Sequence, residues 1–268
     1  MAASDESNPD IRGMSYNSAR DELFLADFNN GVVRAMRVRD NAGDLRDVYR
    51  APHDASPHIY SVSHVSDSDT LLVCSYERRP DGKRAFWLVA LSRNCSGWRE
   101  THRVQTDEIG VISCTLSDSR VLIGSGGDSS FSPYMELFRL ESGPRIARLH
   151  RIHVPEKYRW FSATCTSDTL VAMSYKDKSV RLHRLRGDRL EELARIQLKN
   201  SRYLLWLADR LLVTDNNAVI ELEVSDTRLE RRRELIATRE KIDVRRLGAV
   251  NDELAIFDYN SRDILLVC

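Results

Sequence analysis

The sequence predicts an all-β fold built from six similar units, and three observations support this. First, an aspartate in a short polar turn precedes an apolar strand six times, at intervals of 48, 49, 50, 41 and 43 residues. Second, the strands that follow, such as LLVC and LVAM, are almost continuously apolar, so both faces must be covered. Third, each unit divides at Asp, Gly, Ser or Asn into four strands, which is typical of the blades of a β-propeller. The six turn aspartates are Asp21, Asp69, Asp118, Asp168, Asp209 and Asp252.

The fourth unit shows the expected order of elements. RWFSATCTS forms the first strand, Ser167-Asp168 a tight turn, TLVAMS the second strand and VRLHRL the third, and the charged RLEELARIQL forms the outer strand. Lys, Arg and Glu on outer strands discourage edge-to-edge association. Residues 228–241 also match helical propensity, but the same place in earlier units is short and rich in β-branched or aromatic residues. We therefore predict a strand there too.

Closure of the predicted ring is the least determined feature. Six innermost strands can be counted but only five outer ones, because the sixth unit ends with its third strand, DILLVC. We expect a flexible tail over residues 1–10 and a single six-bladed β-propeller domain of four-stranded antiparallel blades over residues 11–268, with a three-stranded last blade. The alternative is that a longer natural protein supplies the missing strand.

Composition limits the classes of function. Among 268 residues, 40 are Lys or Arg and 40 are Asp or Glu, so there is no broad positive field of the kind that favours nucleic acid. Five cysteines without paired spacing suggest reduced thiols. The sequence predicts neither a secretory signal nor a membrane-spanning apolar run. We expect a monomeric domain, in the cytoplasm or nucleus, that binds neither membranes nor nucleic acid.

One segment carries a family resemblance. Residues 26–33, ADFNNGVV, have the form Ala-Asp-x-x-Asn-x-x-Val, which resembles the NHL repeat. Units five and six repeat part of it, at Asp215-Asn216-Asn217 and Asp258-Tyr259-Asn260. Units two to four instead look more like divergent WD repeats, with serine at the aspartate position: Ser75, Ser125 and Ser174. The resemblance implies a propeller of the NHL or WD-repeat type and no particular protein.

A partner-binding face is predicted where the hairpins between second and third strands and the links between units emerge together. Arginine and large aromatic residues gather there, and these residue types anchor protein partners. The alternative is that the aromatic residues only pack at the start of inner strands. The residues predicted to bind a protein or peptide are His58, Arg78, Arg79, Arg84, Phe131, Arg159, Trp160, Tyr203 and Arg245.

The enzymatic alternative is a metal-dependent hydrolase that resembles the six-bladed lactonases. Oxygen ligands for Ca²⁺ in a central channel would come from Asp27, Asp215, Asn217 and Asp258. The same residue types also cap tight turns through their own backbone, which is our preferred interpretation. Since no Gly-x-Ser-x-Gly elbow or phosphate loop occurs, we assign no catalytic residue or cofactor and expect a non-enzymatic scaffold. A third possibility, RNA binding, would use Arg78, Arg79, Lys83, Arg84, Arg159 and Arg245.

Overall fold

The computed structural model shows an all-β chain that divides into two compact units. Unit 1 comprises residues 1–110 and 142–145, and unit 2 comprises residues 111–141 and 146–268. No described residue belongs to a helix long and apolar enough to cross a bilayer. The structure describes residues 8–39, 45–52, 57–106, 111–115, 119–124, 134–143, 145–154, 160–165, 170–215, 218–225, 228–237, 244–258, 260–261 and 263–267.

Unit 1 contains two antiparallel four-stranded sheets, each a simple meander. The first comprises β1 (Ile11–Asn17), β2 (Glu22–Asp27), β3 (Val32–Arg37) and β4 (Arg46–Arg50). The second comprises β5 (His58–Val65), β6 (Thr70–Arg78), β7 (Arg84–Asn94) and β8 (Gly97–Thr106), with a 3₁₀ turn at Ser66–Ser68 between β5 and β6.

Unit 2 continues the same pattern in four meanders. The first meander comprises β9 (Val111–Thr115), β10 (Arg120–Gly124), β11 (Tyr134–Glu141) and β12 (Arg145–His153). The second comprises β13 (Trp160–Cys165), β14 (Leu170–Tyr175), β15 (Ser179–Arg186) and β16 (Arg189–Gln197). A single parallel bridge, His153 to Arg189, joins them into one eight-stranded sheet. The others are β17 (Ser201–Leu207), β18 (Arg210–Asp215), β19 (Ala218–Ser225) and β20 (Arg228–Ala237), then β21 (Val244–Val250), β22 (Glu253–Asp258) and β23 (Ile264–Val267).

The second strand of each meander is the most buried, as the sequence predicts. Every residue of β2 is buried, and all but the first residue of β10, β14, β18 and β22 are buried as well. The core clusters lie between successive meanders: one in unit 1 combines Phe24 and Val33 with Val73 and Val89, and those of unit 2 repeat the arrangement. Neighbouring sheets therefore cover each other's apolar faces.

The turns before these strands use the left-handed conformation expected for aspartate. Asp21, Asp69 and Asp252 have φ values of 54°, 43° and 63°. In the fifth meander the left-handed residue is Ala208 (φ 52°), one position before the predicted Asp209. Asp118 and Asp168 lie outside the described residues.

The ambiguous segment 228–241 begins with a strand, β20 (Arg228–Ala237). This confirms the prediction of strand over helix for that range, and residues 238–241 lie outside the described part. Pairing explains the result, since Arg232 and Arg233 both reach Glu221 on the neighbouring β19, whose side chain is almost fully buried. Such cross-strand ion pairs would be lost in a helix.

Candidate binding site in unit 1

The site begins with a bulge in the first strand of each unit 1 sheet. Along β1 the register to β2 shifts between Ile11 and Gly13, so Arg12 is the extra residue of a bulge; along β5 the shift between Ile59 and Ser61 makes Tyr60 the extra residue. A bulge redirects the side chain of the extra residue. In this way the fold presents an arginine and a tyrosine at equivalent positions.

Glycine lets these two strands approach closely. A Cβ on Gly13 would lie 2.8 Å from the Cα of Ser61, which is closer than side-chain atoms tolerate. The β1 and β5 backbones are therefore in direct contact just beyond both bulges. This contact brings the side chains of Arg12 and Tyr60 together.

Four aromatic rings from three places in the sequence surround this junction. The centroid of Phe28 lies 4.4 Å from that of His58 and 4.9 Å from that of Tyr60. Tyr76 lies 4.7 Å from His58 and 5.5 Å from Tyr60, so each ring contacts the next around a closed quadrilateral. Phe28, His58 and Tyr60 remain partly exposed, whereas Tyr76 is buried.

Two arginines lie against these rings. The Cζ of Arg12 is 3.4 Å from the centroid of Phe28 and 5.4 Å from that of Tyr60, and the Cζ of Arg84 is 5.4 Å from that of Tyr76. Cation–π contacts of this kind hold a guanidinium in place, and Arg12 is also ion-paired with Asp10, whose Oδ2 lies 2.8 Å from its Nη2. We call Arg12, Phe28, His58, Tyr60, Tyr76 and Arg84 the aromatic–arginine cluster.

Strand register shows that His58, Tyr76 and Arg84 of the cluster share one face of the second sheet. His58 is paired with Tyr76, and Tyr76 is also paired with Phe86. Two residues further along, Arg78 is paired directly with Arg84. Since residues two apart along a strand point to the same side, all five side chains belong to one face.

The β6–β7 hairpin has a short loop. The strands continue to Arg78 and resume at Arg84, so the loop contains only residues 79–83. Within it the Arg79 amide donates to the Lys83 carbonyl, and Gly82 takes a φ of 78°. This compact turn fixes the spacing of the two arginines.

Burial and the neighbouring arginines favour the neutral form of His58 by lowering its pKa. Burial lowers its pKa, and the positive charges of Arg12, Arg78 and Arg84 lower it further, against a hydrogen bond to the Phe28 carbonyl that raises it. Because a carbonyl only accepts, Nδ1 donates this 3.1 Å bond and Nε2 keeps its lone pair. Since Arg12 is paired with Asp10, the net positive charge here comes from Arg84 and the adjoining Arg78.

The structure brings some of the predicted residues together. His58, Arg78 and Arg84 belong to the site, and Arg79 is exposed at the adjoining turn. Tyr203 lies in unit 2 beneath Arg246, whose Cζ is 4.5 Å from the ring centroid. Trp160 and Arg245 are described only as members of β13 and β21, and Phe131 and Arg159 lie outside the described residues.

The carboxylates proposed as calcium ligands act as turn caps. Asp27, fully buried, accepts hydrogen bonds from the backbone amides of Asp10 and Asn30. Asp215 accepts one from the Asn200 amide at 2.8 Å, and Asp258 caps the turn that follows it. Asn217 lies outside the described residues, and within the described ones no three His, Cys, Asp or Glu side chains are grouped as a metal site requires.

Comparison with solved structures relates the chain to known folds. A glucose dehydrogenase superposes with a TM-score of 0.69 at 10% identity, over 96% of this chain and 96% of that one. The β-propeller domain of Cps50 (Swd1) from Myceliophteria thermophila gives 0.61 at 11% identity, over 96% and 82%. The WD40 β-propeller domain of Doa1 gives 0.63 at 9% identity, over 96% and 78%.

These identities are low enough that the likeness shows the fold and nothing more. No family model matches the sequence, and no curated protein matches it. The neighbours include both an enzyme and WD40 domains, so they do not separate a catalytic from a binding function. The chain therefore has the fold of the β-propeller proteins, in a divergent form.

Proposed function

We propose that this protein is a non-enzymatic interaction platform that binds a protein or peptide partner at the aromatic–arginine cluster. The observation that carries the proposal is the closed group of four rings with guanidinium groups held against it. Tyrosine and arginine dominate the binding energy of protein interfaces, because they combine large contact area with hydrogen-bonding ends. A rigid sheet also holds them in place before binding, which reduces the entropy lost on association.

The composition of the cluster supports binding over simple packing. The core clusters of this chain consist of aliphatic and small side chains with few rings, and they are almost completely buried. In contrast, Phe28, His58 and Tyr60 are partly exposed and Arg84 is exposed. Partly exposed rings beside charged groups contribute less to folding than buried aliphatic residues, so a partner is the better explanation for them.

Support for the hydrolase alternative is weaker. The carboxyl groups of Asp27 and Asp258 already accept two or more hydrogen bonds from nearby amides and hydroxyls, which is the work of a turn cap. A calcium site would have to take oxygens away from those donors.

The finer architecture is also part of the proposal: we infer that the six successive meanders are six blades, and that the domain works as a monomer in the cytoplasm or nucleus.

The proposal is tested by partner capture with a variant that removes one ring. Tyr60→Ser deletes the ring at the β5 bulge and leaves Arg78 and Arg84 in place; Arg99→Ala, at an exposed position on β8 of the same sheet, is the matched control. Capture from a cell extract, quantified by mass spectrometry, should lose specific partners with Tyr60→Ser and keep them with Arg99→Ala. Equal capture by both variants refutes the proposed surface.

A parallel assay tests the alternative that the protein is a calcium-dependent hydrolase. Ca²⁺ should leave the melting temperature of the wild-type protein unchanged, and lactone substrates should not be hydrolysed in its presence. A calcium-dependent rise in melting temperature that Asp27→Asn abolishes would favour the hydrolase instead.

A further inference from the structure

The β6–β7 hairpin ends in an unfavourable pair. Arg78 and Arg84 are directly opposite each other in the antiparallel ladder, and both are exposed. Residues opposed in this way have Cα atoms about 4.5–5.5 Å apart, and like charges there destabilise the sheet. Within the described part of the chain, no carboxylate lies within ion-pair distance of either guanidinium.

The acidic residues of the same hairpin, Glu77 and Asp81, make hydrogen bonds to groups other than the two arginines. Glu77 accepts a 3.1 Å hydrogen bond from the indole of Trp87, and both residues alternate with Arg78 and Arg84, so they belong to the opposite face. Asp81 caps the turn by accepting a 3.0 Å bond from the Lys83 amide. The face that carries the two arginines therefore keeps its positive charge.

We propose that the Arg78–Arg84 pair is a receptor for a carboxylate of an acidic peptide segment in the partner. This inference rests on the proposed function and specifies the chemistry of the partner. One carboxylate between the two guanidiniums replaces a repulsion by two charge-assisted hydrogen bonds. Tyr60 and Phe28, which adjoin the buried Tyr76 beneath Arg84 and are partly exposed, offer apolar surface to the residues that flank the acid.

The arrangement fits an acidic peptide better than nucleic acid. Single-stranded nucleic acid is held by a track of cations that follows several phosphates, with bases stacked on free aromatic faces. Here one fork of two arginines adjoins rings that already stack on one another and under Arg12. The chain as a whole has equal numbers of basic and acidic residues, which gives no further attraction for a polyanion.

The probe is a fluorescein-labelled peptide of four Glu-Tyr repeats, titrated with the full chain and followed by anisotropy. Matched probes replace every glutamate by glutamine or by phosphoserine, and an octamer of uridine tests nucleic acid. The protein variants are Arg78→Gln and Arg84→Gln, with Arg99→Gln as the control that removes one exposed charge from the same sheet. A second readout is the titration of the His58 ring by NMR, since an anion at the arginines should raise the pKa of this histidine.

We expect the glutamate peptide to bind and the glutamine peptide to bind about tenfold more weakly, with the affinity falling as salt increases. Arg78→Gln and Arg84→Gln should each weaken binding several-fold, whereas Arg99→Gln should not. Equal binding of glutamate and glutamine peptides, or wild-type affinity in both arginine variants, overturns the inference. So does tighter binding of the phosphoserine peptide or of the uridine octamer. If partner capture depends on Tyr60 but not on the two arginines, this inference fails and the proposed function survives.

Discussion

Removing the imidazole of His183 should flatten the acid sensitivity of the protein. His183 lies on β15 with only 4% of its surface exposed, and its Nε2 is 2.8 Å from the Tyr175 hydroxyl. Burial lowers its pKa from 6.5 to about 4, with a further contribution from the positive charge of Arg181. Its Nδ1 is buried without a hydrogen-bond partner among the described residues, so no acceptor is in place for a second proton.

The sign and size of the effect follow from linkage. Because the native pKa is depressed, the stabilisation that His183 contributes is fully present above pH 6.5 and is lost as the pH falls toward 4. Between these values His183 is protonated in the unfolded chain but stays neutral in the native protein. Each pH unit in that window costs about 1.4 kcal/mol, so the wild type should lose about 3 kcal/mol between pH 7 and pH 4 through this residue.

The measurement is urea unfolding followed by tryptophan fluorescence at several pH values. His183→Gln should lose about 3 kcal/mol less than the wild type over the same range, because glutamine can approach the Tyr175 hydroxyl and does not titrate. Gln197→Ala, at an exposed position of β16, changes no titratable group and should retain the wild-type pH dependence. If His183→Gln loses as much unfolding free energy as the wild type over this range, the acid sensitivity does not come from burying a neutral imidazole at His183.

Two further substitutions test the turns of unit 1. Gly31→Ala should destabilise the protein more than Gly82→Ala: both positions have positive φ, which costs about 1 kcal/mol for alanine, but only at Gly31 would the new Cβ meet backbone, at 2.5 Å from the Pro57 carbonyl oxygen. Equal losses of unfolding free energy would contradict this close contact. Asp27→Asn should cost about 2 kcal/mol, because a buried charged acceptor is lost. Asp81→Asn, at an exposed turn, should cost much less in the same denaturation assay, and a similar cost would argue against the buried cap.

The repeated architecture could be read from the sequence because its signals are local. An uninterrupted apolar run such as residues 71–74 needs cover on both faces, whatever the rest of the chain does. Likewise, aspartate tolerates a left-handed turn position through its own backbone conformation, as Asp69 shows with a φ of 43°. The count of six blades goes beyond the meanders themselves and stays a prediction.

Only part of the site was accessible from the sequence, because the rest depends on pairing between strands. His58 and Arg84 were identified because they adjoin strand ends on the predicted face. Arg12 and Tyr60 were missed, since a bulge depends on the partner strand and has no marker in the sequence of its own. Phe28 was passed over because the NHL-like pattern draws attention to the neighbouring Asp and Asn residues.

Several other arginines on the described strands contact carboxylates, and this contrast gives the last prediction. Arg181, almost fully buried, contacts both Asp177 and Glu192, at 2.6 Å and 3.0 Å. Arg84→Glu would give Arg78 a similar partner directly across the ladder and should raise the unfolding free energy by about 0.5–1 kcal/mol.

The same change places a negative charge where the acidic peptide is expected to bind, so affinity for the glutamate peptide should fall below detection while thermal stability rises. If the arginine pair served folding, thermal stability and affinity for the glutamate peptide would both fall in this variant. If stability rises while peptide affinity falls, the repulsion between Arg78 and Arg84 is compensated by binding of a ligand. Loss of stability in Arg84→Glu would instead show that the arginine pair serves the hairpin itself.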